Sequence, residues 1–242
     1  MAYFLILGTG PSTPITDGTG RNYRRRSSAL MHNIASYCLI DVTHDFEEQV
    51  EIALSVTDLA VTSTSRDAVG GIGNLDRWAD QTVTLHAPKA VWKTLSERYG
   101  PFTNIVHNPI EPLQAFQAGD LKITALPVDT ENGSPRFAYR FDTGKKKVCY
   151  ASDVKQIPDA SEAAMKGNQV LVIDGAGWDK DLPTHRGVLN HIHEYATWNN
   201  ERLVFTHIGR AAPPHAEAST LIRRMYFAAD IAFDFMKLPL GR

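Results

Sequence analysis

Residues Asp58 to Gly71 read DLAVTSTSRDAVGG, a short apolar run followed by a polar turn and a pair of glycines. The apolar run predicts a buried strand, and the residues after the turn predict a helix that begins near Gly70. Residues two apart in an extended segment point the same way. We therefore expect Ser63 and Ser65 to share one face and Asp67 to return toward them, in a corner that could present metal ligands or catalytic groups.

Short strand-like runs and helical runs continue on both sides of this corner. The chain opens with consecutive strands and then mixes in helices, and residues 110–150 again read as consecutive strands. Two mixed sheets packed face to face with helices outside satisfy that order. The sequence thus predicts an α/β (α+β) protein, a four-layer αββα sandwich in one domain over 1–242. The predicted elements include strands Tyr3–Leu7 and Ile231–Phe235 and helices Phe46–Leu54 and Val69–Ala79.

The composition excludes several classes of protein. Of 242 residues, 43% are hydrophobic and 21% charged, which is globular rather than disordered. The 25 Lys and Arg residues against 27 Asp and Glu residues create no global basic field, so nucleic acid is not the expected partner. Cys38 and Cys149 lie in apolar runs and cannot build a disulfide framework. No apolar run reaches the ~20 residues of a membrane helix, so we expect a soluble cytoplasmic protein without membrane contact.

A glycine-rich loop and a run of arginines follow the first strand. Gly8 to Thr13 reads GTGPST, which lacks the third glycine and the helix of a dinucleotide-binding loop. Four arginines then lie within residues 21–26. Arg25 and Arg26 could clamp a phosphate, since guanidinium groups bind it through two N–H groups, or they could belong to a solvated loop.

Nine different short motifs are spread along nearly the whole chain. They are Leu7-Gly8-Thr9-Gly10, Arg25-Arg26-Ser27-Ser28, Leu39-Ile40-Asp41, the corner at 63–71, Leu126-Pro127-Val128, Tyr150-Ala151-Ser152-Asp153, Leu171-Val172-Ile173-Asp174, Asn190-His191-Ile192 and Phe205-Thr206-His207. The ordered set resembles the metallo-β-lactamase superfamily, in particular its ribonuclease Z and cyclic-phosphodiesterase branch. The resemblance implies the αββα fold and a relationship to metal-dependent phosphodiesterases.

The chain departs from that family at its metal ligands. The family corner reads Thr-His-x-His-x-Asp-His, whereas this chain has Ser63, Ser65 and Ala68 in place of the three histidines and keeps Asp67. Thr130 stands where the family has a further metal histidine. Neutral hydroxyls are poor zinc ligands beside imidazole, thiolate or carboxylate. The resemblance therefore implies that the first metal position is lost.

The second metal position keeps three of its four ligands. They are Asp67, Asp153, which bridges two metals in the family, and His207. Two carboxylates and one imidazole could hold one Zn²⁺, Mn²⁺ or Mg²⁺ ion. The alternative is a site without metal, in which Asp67 and Asp153 repel each other and the Arg66 guanidinium replaces the missing cation.

Histidines near the C-terminus are further candidates. The resemblance gives His191 the role of general acid or phosphate-binding group, and Asp67 is a second candidate catalytic residue. His185 lies in a loop that could approach the same cleft as a ligand-binding residue. Asp41 and Asp174 could orient a ligand histidine, although a turn-starting aspartate explains both equally well.

Two functions remain open at this point. One is a single-metal hydrolase of phosphodiesters, and the other is a catalytically inactive, metal-free relative that binds a nucleotide-like or other small anionic ligand. A rebuilt catalyst with Ser63 or Ser65 as nucleophile is a third reading, weakened because no histidine lies nearby in sequence. The resemblance also carries the expectation of a homodimer.

Overall fold

The computed structural model describes residues 1–49, 55–128 and 135–241. Within them, two seven-stranded mixed sheets pack against each other, and helices cover their outer faces. This arrangement is the αββα sandwich that the sequence predicts.

The first sheet is antiparallel on one side and parallel on the other. Its strands in spatial order are β14 (Met236–Pro239), β1 (Tyr3–Gly8), β2 (Ser28–Asn33), β3 (Ser36–Ile40), β4 (Asp58–Ala60), β5 (Val83–Ala87) and β6 (Ile105–Pro109). Pairs from β14 to β3 are antiparallel, and pairs from β3 to β6 are parallel.

The second sheet repeats the design of the first. Its strands in spatial order are β13 (Ala229–Ile231), β12 (Arg202–Thr206), β11 (Val170–Asp174), β10 (Lys147–Ala151), β9 (Arg136–Asp142), β8 (Leu121–Val128) and β7 (Ala115–Ala118). Pairs from β7 to β10 are antiparallel, and pairs from β10 to β13 are parallel. The two halves therefore share one plan, in which a meander is followed by helix-linked parallel strands.

Helices occupy the outer layers. On the side of the first sheet they are α1 (Phe46–Gln49), α2 (Arg66–Val69), α3 (Ile72–Trp78) and α4 (Lys89–Tyr99), and on the side of the second they are α5 (Asp159–Met165), α6 (Val188–Ala196) and α7 (His215–Met225). Apolar residues of α3 and α4, such as Leu75 and Leu95, join the core formed by the first sheet. Helices α5, α6 and α7 contact β8, β12 and β13 respectively.

Aromatic side chains fill the space between the sheets. The Phe4 ring of β1 lies 5.7 Å from the Tyr150 ring of β10 and 6.2 Å from the Phe141 ring of β9, measured between centroids. All three side chains are fully buried. Each buried side chain of this size contributes about 1.5–3 kcal/mol through the hydrophobic effect. This layer fixes the separation of the two sheets.

Two hydrogen bonds tie β9 to the segment that follows β4. The Tyr139 hydroxyl donates to the Val61 carbonyl at 2.9 Å, and the Phe137 N–H donates to the Thr62 carbonyl at 2.8 Å. Both bonds run from the second sheet to the first. They hold the Ser63–Ser65 corner against β9.

The structure corrects two predicted elements. The strand expected over Ile231–Phe235 is wrong, because β13 ends at Ile231 and Phe235 has a φ of 63°, which a strand does not allow. The single helix expected over Val69–Ala79 is two helices that separate at Gly71. A Cβ at Gly71 would lie 2.1 Å from the Thr43 carbonyl oxygen, so the backbone passes too close for any other residue.

Other elements are confirmed, described only in part, or absent from the prediction. Strand Tyr3–Leu7 is confirmed as β1, and the predicted helix Phe46–Leu54 is described as far as Gln49, its remainder lying outside the described residues. Short strands β6, β7 and β14 were not predicted, because their few residues carry no clear alternation. No helix in the described ranges has both the length and the apolarity needed to cross a membrane.

We predict that Tyr139→Phe destabilises the fold. The substitution leaves the buried Val61 carbonyl without its partner, which costs about 1–3 kcal/mol in the free energy of unfolding. Urea denaturation followed by circular dichroism measures the change. Tyr99→Phe, at the half-buried end of α4, is the control and should change stability by less than about 0.5 kcal/mol. Equal effects of the two substitutions would contradict the role of the inter-sheet bond.

Candidate functional site

The ends of the parallel strands meet in one cleft. Asp41 directly follows β3, His207 directly follows β12, and Ser63 and Asp153 lie two or three residues beyond β4 and β10. All four line a cleft of about 290 Å³. Ligand sites in sheets of this kind lie at the carboxyl ends of parallel strands. The fold thus makes this cleft the candidate site.

Two cleft residues have left-handed backbone conformations. Asp41 has a φ of 62° and His207 a φ of 57°. Such conformations cost a non-glycine residue free energy on the order of 1–3 kcal/mol and concentrate at functional sites. Each one turns the chain at a strand end, which leaves both residues at the cleft.

The Asp41 carboxylate holds the start of the serine corner. Its two oxygens accept the Thr62 N–H and the Thr62 hydroxyl, both at 2.7 Å. Burial raises the pKa of Asp41 to about 8, against the opposing effect of the Thr62 hydrogen bonds, and the charges of Asp67 and Asp153 raise it further. A carboxyl group of this kind anchors backbone and adds to the local crowding of acidic groups.

The serine corner brings two hydroxyl groups together. Ser63 Oγ and Ser65 Oγ lie 2.6 Å apart, and the Ser65 N–H donates to Ser63 Oγ at 3.2 Å. The Arg98 guanidinium of α4 donates to the Thr64 carbonyl at 2.6 Å and fixes the turn. Both hydroxyls line the cleft.

Asp153 is paired with an arginine that sequence reasoning missed. Arg136 Nη1 lies 2.5 Å from Asp153 Oδ1, and both side chains are largely buried. Burial raises the pKa of Asp153, while the charges of His207 and Arg136 oppose that shift. Arg136 is the first residue of β9, and no motif marks it in the sequence. Only the pairing of β9 with β10 brings it to the site.

His185 connects Asp153 to a second buried carboxylate. His185 Nδ1 lies 2.6 Å from Asp174 Oδ2 and 3.5 Å from Asp153 Oδ1, and its ring centroid is 5.2 Å from that of His207. Two backbone N–H groups also donate to Asp174, at 2.8 and 2.9 Å. Burial alone would lower the pKa of His185, but the hydrogen bond and charge of Asp174 outweigh it and raise the pKa. Asp174 therefore orients a histidine, as one of the two readings of the sequence expected.

The three residues predicted as metal ligands all line the cleft. They are Asp67, Asp153 and His207, and the Nδ1 atom of His207 is buried without a hydrogen-bond partner among the described residues. Within the described ranges, however, a different group is close enough to share one ion. It consists of Asp153, Asp174 and His185, whose donor atoms all lie within 4.8 Å of one another. Thr130, expected at the first metal position, lies outside the described residues.

The donor chemistry of the corner does not fit a two-metal centre. Ser63 and Ser65 offer neutral hydroxyls that are bonded to each other, and Ala68 offers no donor atom. The Arg136 guanidinium lies 2.5 Å from Asp153 Oδ1, but the pair lacks hydrogen-bond geometry, and this oxygen is buried without a hydrogen-bond partner among the described residues. Zinc and similar ions prefer imidazole, thiolate or free carboxylate, and a fixed positive charge opposes their binding.

The three candidate arginines have different surroundings. Arg25 pairs with Glu48 at 2.9 Å and with Asp234 at 3.4 Å and does not line the cleft described here. Arg26 lines the cleft and pairs with Asp45 at 2.6 Å. Arg66 Nε donates to a ring nitrogen of His44 at 3.2 Å. No motif in the sequence marks His44 as a site residue.

Arg66 and Arg26 share an open groove beside the cleft. The groove has a volume of about 860 Å³ and is lined by Ser12, Thr13, Arg26, His44, Arg66 and Asp67. Three of these residues also line the cleft, so the two spaces adjoin. We name this surface the arginine groove.

His191 lies on α6 between two carboxylates. Its Nδ1 atom is 2.9 Å from Glu194 Oε2, and its Nε2 atom is 3.1 Å from Asp181 Oδ1. The described residues that line the cleft do not include His191. His185, whose loop was expected to approach the cleft, lies 3.5 Å from Asp153 Oδ1, although it is not among the described residues that line the cleft.

Comparison with known proteins identifies the family to which the chain belongs. The family model of the beta-lactamase superfamily domain matches residues 16–208. The chain therefore belongs to the metallo-β-lactamase superfamily.

Three known proteins are similar to this chain. A diphosphatase of the PhnP family has a similar structure, with a TM-score of 0.86, 22% identity and coverage of 100% of this chain and 98% of that one. Zinc-bound PqqB from Methylobacterium extorquens follows with a TM-score of 0.83, 16% identity and coverage of 98% and 100%. An octanoyltransferase from Porphyromonas gingivalis is 23% identical in an alignment 237 residues long, which covers 88% of this chain and 47% of the relative. The chain thus spans about half the length of that curated relative.

We predict that Asp174→Asn lowers the pKa of His185. The substitution removes the charge that raises it, while burial continues to disfavour the imidazolium form. Titration of the imidazole resonances by NMR measures the change. Asp142→Asn, at the far end of β9, is the matched control and should leave His185 unchanged. An unaltered pKa of His185 in Asp174→Asn would contradict the assigned contact.

Proposed function

We propose that this chain is a metal-independent binding protein of the metallo-β-lactamase superfamily that takes a small phosphoester or similar anion in its cleft and arginine groove. The observation that carries the proposal is the ion pair between Arg136 and Asp153, 2.5 Å apart in a largely buried position. In this proposal the protein supplies its own cation where relatives use metal ions.

Charge balance in the cleft supports this reading. Asp41, Asp67 and Asp153 line the same space, and their mutual repulsion is part of the raised pKa of Asp41. Adjacent carboxylates need a compensating cation or must bind protons. Arg136 offers that cation permanently, because a guanidinium group does not deprotonate near neutral pH.

The arginine groove offers the chemistry for the anion. Arg66 contacts His44 rather than a carboxylate among the described residues, so its guanidinium charge is available. Arg26 adds a second guanidinium group, and Ser12 and Thr13 add hydroxyl groups. Planar guanidinium groups bind phosphate through paired N–H groups. Ser63 and Ser65 at the adjoining cleft could donate to the same ligand.

The names of structural relatives agree with a phosphate-containing ligand. The relatives include the diphosphatase already described and the short form of human tRNase Z, which has a TM-score of 0.73 and 16% identity over 99% of this chain and 100% of that one. Those activities belong to those proteins, and likeness at this level of identity shows the fold alone. The ligand class proposed for this chain rests on its own arginines.

A single-metal hydrolase is the second candidate. The donor atoms of Asp153, Asp174 and His185 lie within 4.8 Å of one another, a spacing that one Zn²⁺, Mn²⁺ or Mg²⁺ ion could bridge. An ion there would compete with Arg136 for Asp153 and with the 2.6 Å contact between His185 and Asp174. We rank this candidate second for that reason.

We predict that inorganic pyrophosphate binds the protein in buffer containing EDTA. Arg66→Ala should weaken the affinity about tenfold, the cost of one lost charge-assisted contact at 1.4 kcal/mol. Isothermal titration calorimetry measures both affinities. Arg224→Ala removes an exposed arginine near the end of α7 and should leave the affinity unchanged.

Two results would contradict the proposal. One is binding that appears only after a divalent metal is added. The other is metal-dependent hydrolysis of bis(4-nitrophenyl) phosphate that Asp153→Ala abolishes, which would favour the second candidate. Equal affinities of wild type and Arg66→Ala would remove the arginine groove from the account.

A further inference from the structure

A second groove lies on the other side of the turn that follows β1. The space inside it amounts to about 640 Å³, part of which is open to solvent. Ile15, Ile208, Ala212 and Pro213 give it an apolar wall. It shares no lining residue with the cleft or the arginine groove. We name it the Arg24 groove.

Arg24 supplies a buried cation to this groove. The residue is 4% exposed, and its Nη1 atom donates to Thr9 Oγ1 at 2.9 Å and to the Ala232 carbonyl at 2.8 Å. Both acceptors are neutral. The Thr9 hydroxyl group separates Arg24 from Asp234, because it donates to Asp234 Oδ1 at 2.7 Å. The other oxygen, Asp234 Oδ2, accepts the Arg25 N–H at 2.7 Å.

The structural role of Arg24 leaves part of its guanidinium group unused. None of the described residues accepts a hydrogen bond from its Nε or Nη2 atoms. Neither atom is completely buried, so a ligand could reach them. Burial lowers the pKa of Arg24 to about 10, and the charge of Asp234 opposes that shift without cancelling it. A buried charge of this kind costs free energy unless a counterion meets it.

Helix α7 adds a second attraction for anions. It has 11 residues and begins at His215, directly after Pro213 and Pro214 in the groove wall. Its N-terminus carries a partial positive charge. The His215 N–H itself donates to Asn22 Oδ1 at 2.7 Å, so the effect comes from the helix dipole. Arg210 and Asp17 at the rim form an exposed ion pair at 2.9 Å and cancel each other's charge.

We propose that the Arg24 groove binds a small organic anion. The anionic group, a carboxylate or a phosphate, meets the free edge of the Arg24 guanidinium, which can donate two parallel hydrogen bonds. The apolar body of the ligand lies against Ile15, Ile208 and Pro213. The site does not depend on the function proposed for the cleft, because the two share no residue.

NMR titration with phenyl phosphate and with benzoate tests the proposal. We expect shifts of the Gly18, Ile208 and Gly209 backbone amides and of the Arg24 Nε–H signal. The stronger of the two probes identifies the anionic group that the site prefers. Inorganic phosphate, which lacks the apolar body, should bind at least tenfold more weakly than phenyl phosphate.

Two variants separate binding from folding. Arg24→Lys keeps the charge but loses the planar pair of donors, and it should weaken probe binding about tenfold. Because Arg24 also supports the fold, Ala212→Leu provides an independent test by filling the groove at a half-buried position. Arg224→Ala serves as the control and should bind the probe as wild type does.

Three outcomes would overturn the proposal. The first is the absence of shifts at the groove amides with millimolar probe, and the second is shifts confined to the cleft around Ser63 and Asp67. The third is wild-type affinity in folded Ala212→Leu. Equal affinity for inorganic phosphate and phenyl phosphate would remove the apolar part of the recognition.

Discussion

The contact between Arg136 and Asp153 governs the chemistry of the cleft. Parallel strands from two sheets end at one place and carry aspartates there, so negative charges are drawn together by the fold itself. Two unit charges about 4 Å apart interact by about 4 kcal/mol at the effective dielectric of a protein surface, and by more where water is excluded. A cation or bound protons must offset this repulsion, and Arg136 provides a cation at 2.5 Å from Asp153.

The scaffold keeps that ion pair in place through contacts on both sheets. Asp41 binds the backbone and hydroxyl of Thr62, and Tyr139 and Phe137 of β9 donate to the carbonyls of Val61 and Thr62. These contacts bring the corner after β4 against the strand that begins with Arg136. The cation, the hydroxyl pair and the carboxylates thus form one unit, and a change in any of them alters the charge balance of the others.

Short apolar runs marked the central strands, and the order of those strands predicted the fold. The resemblance to the metallo-β-lactamase superfamily selected Asp153 and His207, which lie with Asp41 at strand ends that line the cleft. The αββα sandwich is accordingly confirmed. The placement of the Ser63–Ser65 corner followed from the two-residue repeat of an extended segment.

The site contacts that were not predicted depend on packing between segments that are distant in the sequence, and no local pattern indicates such packing. Arg136 reaches the cleft through the pairing of β9 with β10, and His44 reaches Arg66 across 22 positions in the chain. The histidines show the same limit. His191 lies in an informative motif but contacts Asp181 and Glu194, whereas His185, whose loop was expected to approach the cleft, lies 3.5 Å from Asp153. The glycine pair at the corner looked like a helix start because the approach of Thr43 is invisible in sequence.

The metal content of the purified protein tests the central claim most directly. Tag-free protein would be incubated with excess Zn²⁺ or Mn²⁺, freed of unbound metal by gel filtration, and measured by plasma mass spectrometry beside Asp153→Ala. We expect no stoichiometric metal in either protein, because the positive charge of Arg136, 2.5 Å from Asp153, opposes the binding of a metal ion there. About one equivalent of metal in the wild type that disappears in Asp153→Ala would contradict it.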